Sequence, residues 1–400
     1  MVDSYRWYGL TTASELLWTV LMHSTEHLFA PLSDARCEGL EIHVVGGAVR
    51  DQQLGRTPHD MDYVVVGATV ETLRERGFIQ VGADFPVFLH PVSHVELALA
   101  RTERKTRAGH TGFTVHADPS VSLETDLMRR DFTINAMAID RNGQITDPHG
   151  GQRDLEARVL RHVSEAFCED PLRVLRGIRF LAQLAPFGFR LAAETETLMR
   201  EMAPTLSELS VERIVQELDR TLATEAPLVG LQHCGPLGIT DVLAPDLQTL
   251  PAAFVTDHLE TRWAEWALCN QPTGACITAY QSRYKLSTAR GSVLKAAVRL
   301  HALTDRDPGA LLETMQTLGW LRGNPPDAFI DQALVALDVT EFSPIPVADW
   351  LAYRDCVRQI TAQNPTLAGL TGKALGEAIY AERLRVLSIE ISAPGTAPGL

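Results

Sequence analysis

The sequence that decides the fold runs from Val44-Val-Gly-Gly-Ala-Val-Arg-Asp51 to Asp60-Met-Asp-Tyr-Val-Val-Val66. The β-branched run that ends at Val45 predicts a strand, and the glycine pair after it predicts a turn into an amphipathic helix through Leu54. The apolar run after Asp62 predicts a second, buried strand. Strands and a helix that alternate over so short a stretch indicate a mixed domain built around a small sheet.

The same alternation continues and then stops. The pattern at Val95–Leu99 predicts a third strand, and Ala136–Asp140 with Gln144–Thr146 predicts a hairpin closed by a type I′ turn at Asn142-Gly143. After about residue 165 the strand signals vanish, and apolar residues recur with helical spacing to about residue 390. The expected fold class is therefore α+β, an N-terminal head with a small mixed sheet followed by an all-helical neck, body and tail.

The composition is that of a folded globular protein. The chain has 400 residues, of which 45% are hydrophobic and 22% are charged, and its formal net charge is −14. This acidic total argues against a surface that coats nucleic acid generally, because phosphate contacts need Lys and Arg. Residues 101–180, however, hold 13 basic and 12 acidic residues, a balance compatible with a polyanion bound at one place.

No segment predicts membrane insertion, export or a metal–thiolate site. The apolar run Leu16–Met22 is far shorter than the about 20 residues of a membrane span, and it lacks the basic flank of a signal peptide. The six cysteines are scattered, with no C-x-x-C pair. Thiols in this arrangement predict a reduced, cytoplasmic protein without a disulfide framework or a zinc site.

Asp60 and Asp62 are the first candidates for chemistry. They alternate at the start of a predicted strand, so both carboxylates face one side. Paired carboxylates hold hard divalent cations beside substrate phosphates, and a Gly-Gly turn lets backbone amides approach a phosphate. Either feature alone is more often a tight or solvated turn. Together they predict a Mg²⁺–nucleotide site.

Two further strings are rich in arginine. Arg129 and Arg130 precede an apolar segment, and Arg173, Arg176 and Arg179 recur every three residues on a predicted helix. Surface ion pairs and a solvated helix face are the ordinary interpretations of such strings. The functional interpretation is an arginine fork on ribose or phosphate oxygens, with an acidic residue and an arginine of the helix contacting the edge of a base.

Four strings occur in a fixed order: Gly46-Gly-Ala-Val-Arg-Asp51, Asp60-Met-Asp62, Arg129-Arg-Asp-Phe-Thr-Ile-Asn-Ala136 and Glu169-Asp-Pro-Leu-Arg-Val-Leu-Arg-Gly-Ile-Arg-Phe180. In these strings and their spacing the sequence resembles the class II tRNA nucleotidyltransferase and poly(A) polymerase family, and within it the bacterial CCA-adding enzymes of the enterobacterial type. The resemblance runs from about Val44 to Leu222 and is weaker beyond. It implies a polymerase-β-like head that uses Mg²⁺, with tRNA, CTP and ATP as partners.

The resemblance also implies roles for individual residues. Asp60 and Asp62 would hold the catalytic Mg²⁺, and no nucleic-acid template would be needed. Gly47 and Arg50 would bind the triphosphate of the incoming nucleotide, and Arg130 would contact its ribose or phosphates. Asp170 and Arg173 would form an amino-acid template that pairs with the base. Arg176 and Arg179 would line the same pocket. Glu169 would orient its neighbours, and Glu96 is a candidate for a third metal-site carboxylate.

The implied function is the addition of C, C and A to tRNA 3′ ends with release of pyrophosphate. A poly(A) polymerase, an enzyme that adds only CC or only A, and a catalytically silent RNA-binding protein are the alternatives. The implied domains are an extension of unknown role (1–39), the catalytic head (40–165), a neck with the nucleotide-selecting motif (166–225), a tRNA-binding body and tail (226–392) and a disordered end (393–400), in a monomer or homodimer.

One segment departs from the resemblance. Longer enterobacterial relatives carry an HD phosphohydrolase domain, and Thr261–Gln271 resembles its helix, with Cys269-Asn270 where His-Asp would stand. Asn is not a charged metal ligand, and a lone Cys suits hard cations poorly. We therefore expect no phosphatase, nucleotidase or phosphodiesterase activity from this degenerate region.

Overall fold

The computed structural model describes residues 25–58, 60–81, 87–105, 113–270, 280, 282–321, 327–340 and 343–392. The chain divides into two units. The first runs to Gly177 and also takes in Leu184–Leu209, and the second consists of Ile178–Gln183 and the described residues from Ser210 onward. The expected neck contributes to both units. The first 24 residues and the expected disordered end lie outside the described residues.

The first unit is built around a sheet. Its strands are β1 (Glu41–Val45), β2 (Asp62–Val66), β3 (Ile79–Val81), β4 (Val87–Leu89), β5 (Glu96–Leu99), β6 (Arg101–Lys105), β7 (Phe113–Ala117), β8 (Ala138–Ile139), β9 (Ile145–Thr146), β10 (Val159–Leu160) and β11 (Arg190–Leu191). The main sheet has the order β3-β4-β5-β2-β1-β8-β9. β1 pairs antiparallel with β2 and β8, whereas β2 pairs parallel with β5. The small mixed sheet expected of the head is confirmed.

The central strands β1 and β2 are buried on both faces. Val44 and Val65 pack into one apolar core, while Val45 and Val64 pack into the other. Side chains alternate along a strand, so a strand covered on both faces needs a continuous apolar run. Leu28, from the segment expected to be an extension of unknown role, lies in the first of these cores. That segment therefore helps to build the head.

The hairpin of β8 and β9 forms, but the type I′ turn expected for it is wrong. A type I′ turn needs a positive φ at both Asn142 and Gly143, and of the two only Gly143 has one, +83°. The backbone N–H of Gly143 donates to Asp140, and that of Asp140 donates to Gln144, which makes a three-residue loop. The Asp140 carboxylate also accepts the N–H groups of Asn142 and Gln144, so this side chain favours the longer loop.

Short helices flank the strands. They are α1 (Glu26–Phe29), α2 (Gly47–Gln53), α3 (Val70–Glu75), α4 (Leu123–Met128) and α5 (Gly151–Glu156), followed by α6 (Leu172–Gln183), at which the two units divide, and α7 (Ala193–Met202). Ser122 caps α4, because its hydroxyl accepts the N–H of Thr125. β10 and β11 form a separate parallel pair. The neck, expected to be all helical, therefore contains one short strand.

The second unit consists of helices and connecting loops, with no strand among its described residues. Its helices after α6 are α8 (Val211–Leu222), α9 (Pro227–Leu231), α10 (Ile239–Leu243), α11 (Leu259–Leu268), α12 (Thr288–His301), α13 (Pro308–Thr317), α14 (Asp327–Val339), α15 (Val347–Arg358) and α16 (Gly372–Ser392). No helix in the described part of the chain combines the length and the apolar character that crossing a bilayer requires.

Helix α11 forms the core of this unit, where it packs against α8, α12 and α14. Every residue from Thr261 to Leu268 is buried, including the charged Arg262 and Glu265. The guanidinium of Arg262 donates to backbone carbonyls, those of Leu222, Thr224 and Thr256. These carbonyls offset the loss of water around the guanidinium. Among the described residues Glu265 has no comparable set of donors, and burial therefore raises its pKa.

We expect Glu265→Gln to stabilise the protein more at alkaline pH than at acid pH. Burial raises the pKa of Glu265 from 4.5 to about 7, against the smaller opposing effects of the Val255 amide and Arg262. The raised pKa contributes to the stability of the folded protein. This contribution is fully present below the pKa that Glu265 has in the unfolded chain, and it is lost as the pH rises through the pKa that it has in the folded protein. The loss amounts to about 3 kcal/mol.

Urea unfolding at about pH 5 and about pH 8, followed by tryptophan fluorescence, measures this difference. The fluorescence reports on the right unit, since Trp263 and Trp266 flank Glu265 on α11. Glu313→Gln, which removes an exposed carboxylate on α13, is the matched control. An effect of Glu265→Gln that is the same at both pH values would contradict the raised pKa.

Candidate active site

Asp60 and Asp62 lie where β2 begins, beside the end of β1. Asp62 is the first residue of β2 and pairs with Val45 across the antiparallel ladder, while Asp60 lies in the bend before it. Both side chains are exposed. Among the residues that the structure describes, neither carboxylate has an ion-pair partner. Two open carboxylates of this kind can accept a cation without first breaking a protein ion pair.

The glycine pair joins β1 to α2 directly beside Asp62. Gly46 has φ +77° and ψ −136°, a conformation that only glycine adopts without strain. A Cβ atom on Gly46 would lie 3.0 Å from Nη1 of Arg130 and 3.7 Å from Oδ2 of Asp62. The glycine therefore lets a guanidinium and a carboxylate approach the same point of the backbone. Gly47, assigned to the triphosphate by resemblance, is the first residue of α2.

A fully buried carboxylate, Asp126 on α4, holds both arginines of the Arg129-Arg130 pair. Its Oδ1 lies 2.8 Å from Nη2 of Arg129, and its Oδ2 lies 3.4 Å from Nη2 of Arg130. The Arg101 backbone N–H also donates to it. Burial by itself would raise the pKa of Asp126, but the charges of Arg129 and Arg130 hold it below its ordinary value. Asp126 thus stays ionised and fixes the direction of Arg130.

A second buried network passes through Asp131 and Asn135. Nη1 of Arg50 donates to the Asn135 side chain at 2.8 Å, and the Asn135 amide donates to Asp131 at 3.2 Å. The Asp131 carboxylate also accepts from Nε of Arg176 at 2.6 Å. Although burial opposes it, the charge of Arg176 keeps the pKa of Asp131 below its ordinary value. The network joins α2, the loop after α4 and α6.

Arg50 itself is only 3% exposed, and its Nη2 lies 2.9 Å from the carboxylate of Asp51. The structure therefore places Arg50 inside the fold, next to the glycine turn. A buried arginine in this position can hold the Gly46-Gly47 turn in place through its hydrogen bonds.

Asp170 and Arg173 stand at the start of α6. The Asp170 carboxylate accepts the N–H of Leu172 at 3.1 Å, as expected of a residue that caps a helix. The guanidinium of Arg173 donates to the carbonyl of Ala166 at 2.7 Å and to that of Arg129 at 2.6 Å. Two carbonyls at different nitrogens fix the plane of this guanidinium. Glu169, just before them, is half-buried.

The three arginines expected to form a stripe on α6 have different partners. Arg173 and Arg176 contact residues of the first unit. Arg179 belongs to the second unit, where its Nε donates to Glu217 at 2.8 Å and its guanidinium lies 4.4 Å from the ring of Phe180. In the structure, therefore, the carboxylate of α8 holds Arg179.

Glu96 is the first residue of β5, the parallel neighbour of β2. The register pairs Tyr63 with Leu97, so Glu96 and Asp62 stand side by side one position earlier. Adjacent residues of parallel strands project to the same face of a sheet. Glu96 is exposed, like Asp62, and the topology brings it to the edge where the two aspartates lie.

A different cluster has the atom spacing of a metal site. Among the described residues, ligand atoms of Asp34, Cys37 and His90 lie within 4.8 Å of one another. Nδ1 of His90 accepts the backbone N–H of Ser93 at 3.1 Å, so the ring proton is on Nε2, which lies 3.2 Å from Asp34. A protonated nitrogen has no lone pair for a metal. The cluster is therefore a close pair of His90 and Asp34 beside the buried thiol of Cys37.

Sequence reasoning assigned no role to Asp126, Asp154 or Asn135. Asp154 on α5 accepts from the hydroxyl of Thr133 at 2.8 Å and from Nε of Arg161 at 3.0 Å, which fixes the loop that contains Asn135. The signal in the sequence that could have identified such residues is a polar residue inside an otherwise apolar run. Buried polar groups need partners, so such a residue marks a hydrogen-bond network.

Two segments of the chain match known protein families. Residues 42–161 match the family described as the poly A polymerase head domain, and residues 188–250 match the one described as the probable RNA and SrmB-binding site of polymerase A. A CCA-adding enzyme of Pseudomonas putida (strain W619) is 43% identical over 363 residues, which cover 87% of this chain and 98% of the relative. The chain belongs to the family of the CCA-adding enzymes. The resemblance drawn from the four sequence strings is confirmed.

Solved structures of CCA-adding enzymes share the fold. The Bacillus stearothermophilus CCA-adding enzyme in complex with CTP has a TM-score of 0.61 at 24% identity, and the match covers 95% of this chain and 94% of that one. The Thermotoga maritima CCA-adding enzyme complexed with tRNA_CCA has a TM-score of 0.59 at 21% identity and covers 96% of each chain. The expected α+β head followed by helices is therefore confirmed as the fold of this CCA-adding family member.

Removal of Asp126 is expected to destabilise the fold strongly. Asp126→Ala leaves Arg129 and Arg130, whose side chains are only 18% and 17% exposed, without their carboxylate, at a cost of about 3 kcal/mol. Urea unfolding followed by circular dichroism measures the loss. Because the folded pKa lies below 3.8, the difference from the wild type is expected at neutral pH and should shrink as the pH falls below that value.

The control is Glu196→Ala, which breaks the exposed pair with Arg200 on α7. Exposed pairs of this spacing contribute about 0.5 kcal/mol or less. Equal losses of unfolding free energy in the two variants would show that the buried pairs of Asp126 stabilise the fold no more than an exposed pair does.

Proposed function

We propose that this protein adds C, C and A to the 3′ end of tRNA, taking the nucleotides from CTP and ATP and releasing pyrophosphate. One observation carries the proposal: two open carboxylates, Asp60 and Asp62, lie beside a glycine turn against which a buried carboxylate holds Arg130. Membership of the CCA-adding family supports it. So do the solved relatives, which are a complex with CTP and a complex with tRNA_CCA.

The aspartates fit a divalent cation, which we infer to be Mg²⁺. Asp60 and Asp62 offer hard oxygen ligands, both are exposed, and the register of β5 adds Glu96 as a third carboxylate at the same edge. Such oxygens suit Mg²⁺, which retains several waters and is bound by few carboxylates together with substrate phosphates. When bound, the ion would polarise the phosphate and stabilise the charge on the attacking and leaving oxygens.

The protein's own residues would orient the triphosphate for attack by the tRNA 3′-hydroxyl. Arg130, directed by Asp126, would donate to ribose or phosphate oxygens in front of the glycine turn, where the backbone of Gly46 and Gly47 leaves room for them. The hydroxyl would then displace pyrophosphate from the α-phosphate, a reaction that depends mainly on positioning and charge stabilisation.

Two arginines that are held by other side chains would act on this site indirectly. Arg50 is 3% exposed and holds Asn135 and Asp51, so we assign it a positioning role in place of direct triphosphate contact. Arg176 would act in the same way through Asp131.

Selection between CTP and ATP would depend on Asp170 and Arg173. An acceptor and a donor one helical turn apart can pair with the hydrogen-bonding edge of a base. The two carbonyls that fix Arg173 support this role, because a template of protein side chains must keep its donors in place to discriminate. The tRNA acceptor region would then be recognised by shape and backbone contacts.

The degenerate HD-like region would contribute no hydrolysis. The Asn270 side chain bonds the backbone N–H and carbonyl of Thr249 and the carbonyl of Trp266. Burial, with a smaller effect of Glu265, raises the pKa of Cys269, which opposes the thiolate form needed for metal binding. Asn270 thus joins α11 to the chain before it. Free thiols and a tRNA substrate support the cytoplasmic location expected from the sequence.

The proposal predicts a defined product. With tRNA that lacks its 3′ end, Mg²⁺, CTP and ATP, the protein is expected to extend the RNA by three nucleotides and then stop, as resolved on a sequencing gel. Asp60→Asn and Asp62→Asn should each lower the rate at least about a thousandfold, because metal-held charge stabilisation is lost. Glu71→Gln, an exposed carboxylate on α3, is the control.

Other products would replace the proposal with one of its alternatives. A stop after two nucleotides with CTP would indicate a CC-adding enzyme. A single added A would indicate an A-adding enzyme, and an open ladder with ATP a poly(A) polymerase. Full activity of the aspartate variants would refute the metal assignment.

The template assignment makes a separate prediction. Asp170→Asn replaces an acceptor by a group that also donates, so the ratio of kcat/KM for CTP and ATP is expected to change about tenfold or more, since one bidentate contact discriminates by about 1–3 kcal/mol. Arg173→Ala should act in the same direction. Arg200→Ala, an exposed arginine on α7, should leave the ratio unchanged. Normal rates with unaltered selectivity in Asp170→Asn would remove Asp170 from the template.

A further inference from the structure

Some arginines of the first unit are unusual because their side chains have no carboxylate or carbonyl partner at hydrogen-bonding distance. Most of its described arginines do have one, such as Arg129 and Arg130 with Asp126, or Arg200 with Glu196. Arg158 and Arg190 have no side-chain ion pair or hydrogen bond to any described residue. Unpaired guanidinium groups are conspicuous in a chain whose net charge is −14.

Arg158 and a further arginine, Arg56, lie over the same aromatic ring, and Arg190 is joined to Arg158 through the backbone. The guanidinium carbon of Arg158 lies 5.9 Å from the centre of the Phe187 ring, and that of Arg56 lies 5.7 Å from the same centre. Arg190, exposed at the start of β11, donates its backbone N–H to the carbonyl of Arg158. The Asp51 carboxylate lies 4.0 Å from Arg56 and is also paired with Arg50 at 2.9 Å.

The backbone at Arg158 gives a second, independent indication. Arg158 follows the last residue of α5 and its cap Ala157, and it has φ +57°. Helices that end in this left-handed conformation usually place glycine there, because a side chain with a Cβ is strained. The backbone conformation at residue 158 therefore does not explain why this residue is an arginine. The guanidinium, held over Phe187 and Phe189, is the feature that an arginine adds at this position.

We propose that Arg56, Arg158, Arg190 and the ring of Phe187 form a contact surface for the RNA strand that leads to the tRNA 3′ end. Unpaired guanidinium groups bind phosphodiesters, and an aromatic ring among them can stack a base. Asp60 follows Arg56 by four positions, so the Cα atom of Arg56 lies within about 14 Å of that of Asp60 in the candidate metal site. The inference rests on the proposed function, since it names where that function's RNA substrate is held.

The test compares two substitutions of the same residue. Arg158→Ala and Arg158→Gly both remove the guanidinium, but only glycine relieves the strain of the positive φ. We expect both variants to bind tRNA that lacks its CCA end about three- to tenfold more weakly than the wild type, to the same degree. The slope of log K against log salt should fall by about one in each. Arg158→Gly should nevertheless unfold at a higher temperature than Arg158→Ala.

Arg190→Ala, which changes an exposed residue, provides a second variant with the same expectation, and Arg200→Ala is the control for loss of one positive charge. Fluorescence anisotropy with labelled tRNA gives the affinities, and a parallel titration with CTP alone should show no change. The inference is overturned if both Arg158 variants bind tRNA like the wild type, if Arg158→Gly restores the affinity that Arg158→Ala loses, or if only CTP binding weakens.

The assay keeps the two proposals apart. A wild type that binds tRNA but incorporates no nucleotide would contradict the proposed function. The affinities of the Arg158 and Arg190 variants would still decide whether this surface binds RNA.

Discussion

The pairing of buried carboxylates with arginines is the constraint on which the candidate site depends. Asp126 and Asp131 are withdrawn from water, and a carboxylate there is tolerated only when cations and donors replace the lost hydration. Arg129 and Arg130 satisfy Asp126, while Arg176 satisfies Asp131. Since these groups come from the loop after α4 and from α6, the loop has few arrangements that leave no charge unpaired. Its geometry is therefore fixed before any ligand arrives.

The same physics divides the site into a dry part and a wet part. The dry part holds arginines in place through buried partners, as Asn135 holds Arg50. The wet part presents Asp60 and Asp62 to solvent, where water can solvate unpaired carboxylates. Gly46 lies where the two parts meet, and its missing side chain is what lets Arg130 and Asp62 both lie close to the same point of the backbone. An enzyme that transfers nucleotides needs both parts, because positioning requires rigidity and ligand entry requires access.

The sequence predicted the local elements around the site well. Strand β1, the helix after the glycine pair and strand β2 follow from apolar periodicity and turn residues that lie close together in the chain. The error at the hairpin also has a local cause. The type I′ turn follows from Asn142 and Gly143 alone, whereas the Asp140 carboxylate selects a longer loop by accepting two N–H groups. The triphosphate contact of Gly47 stays a prediction, and the structure adds that Gly46 has the conformation reserved for glycine.

The sequence by itself determined the α+β class, the family and the two exposed aspartates at a strand end, because each depends on neighbours in the chain. Only the tertiary structure decided which arginines face the site. Arg50 meets Asn135 across 85 residues of sequence, and Arg176 meets Asp131 across 45. An arginine stripe has the same spacing whether its groups face solvent or buried carboxylates. Packing chooses between these, since burial makes a partner obligatory.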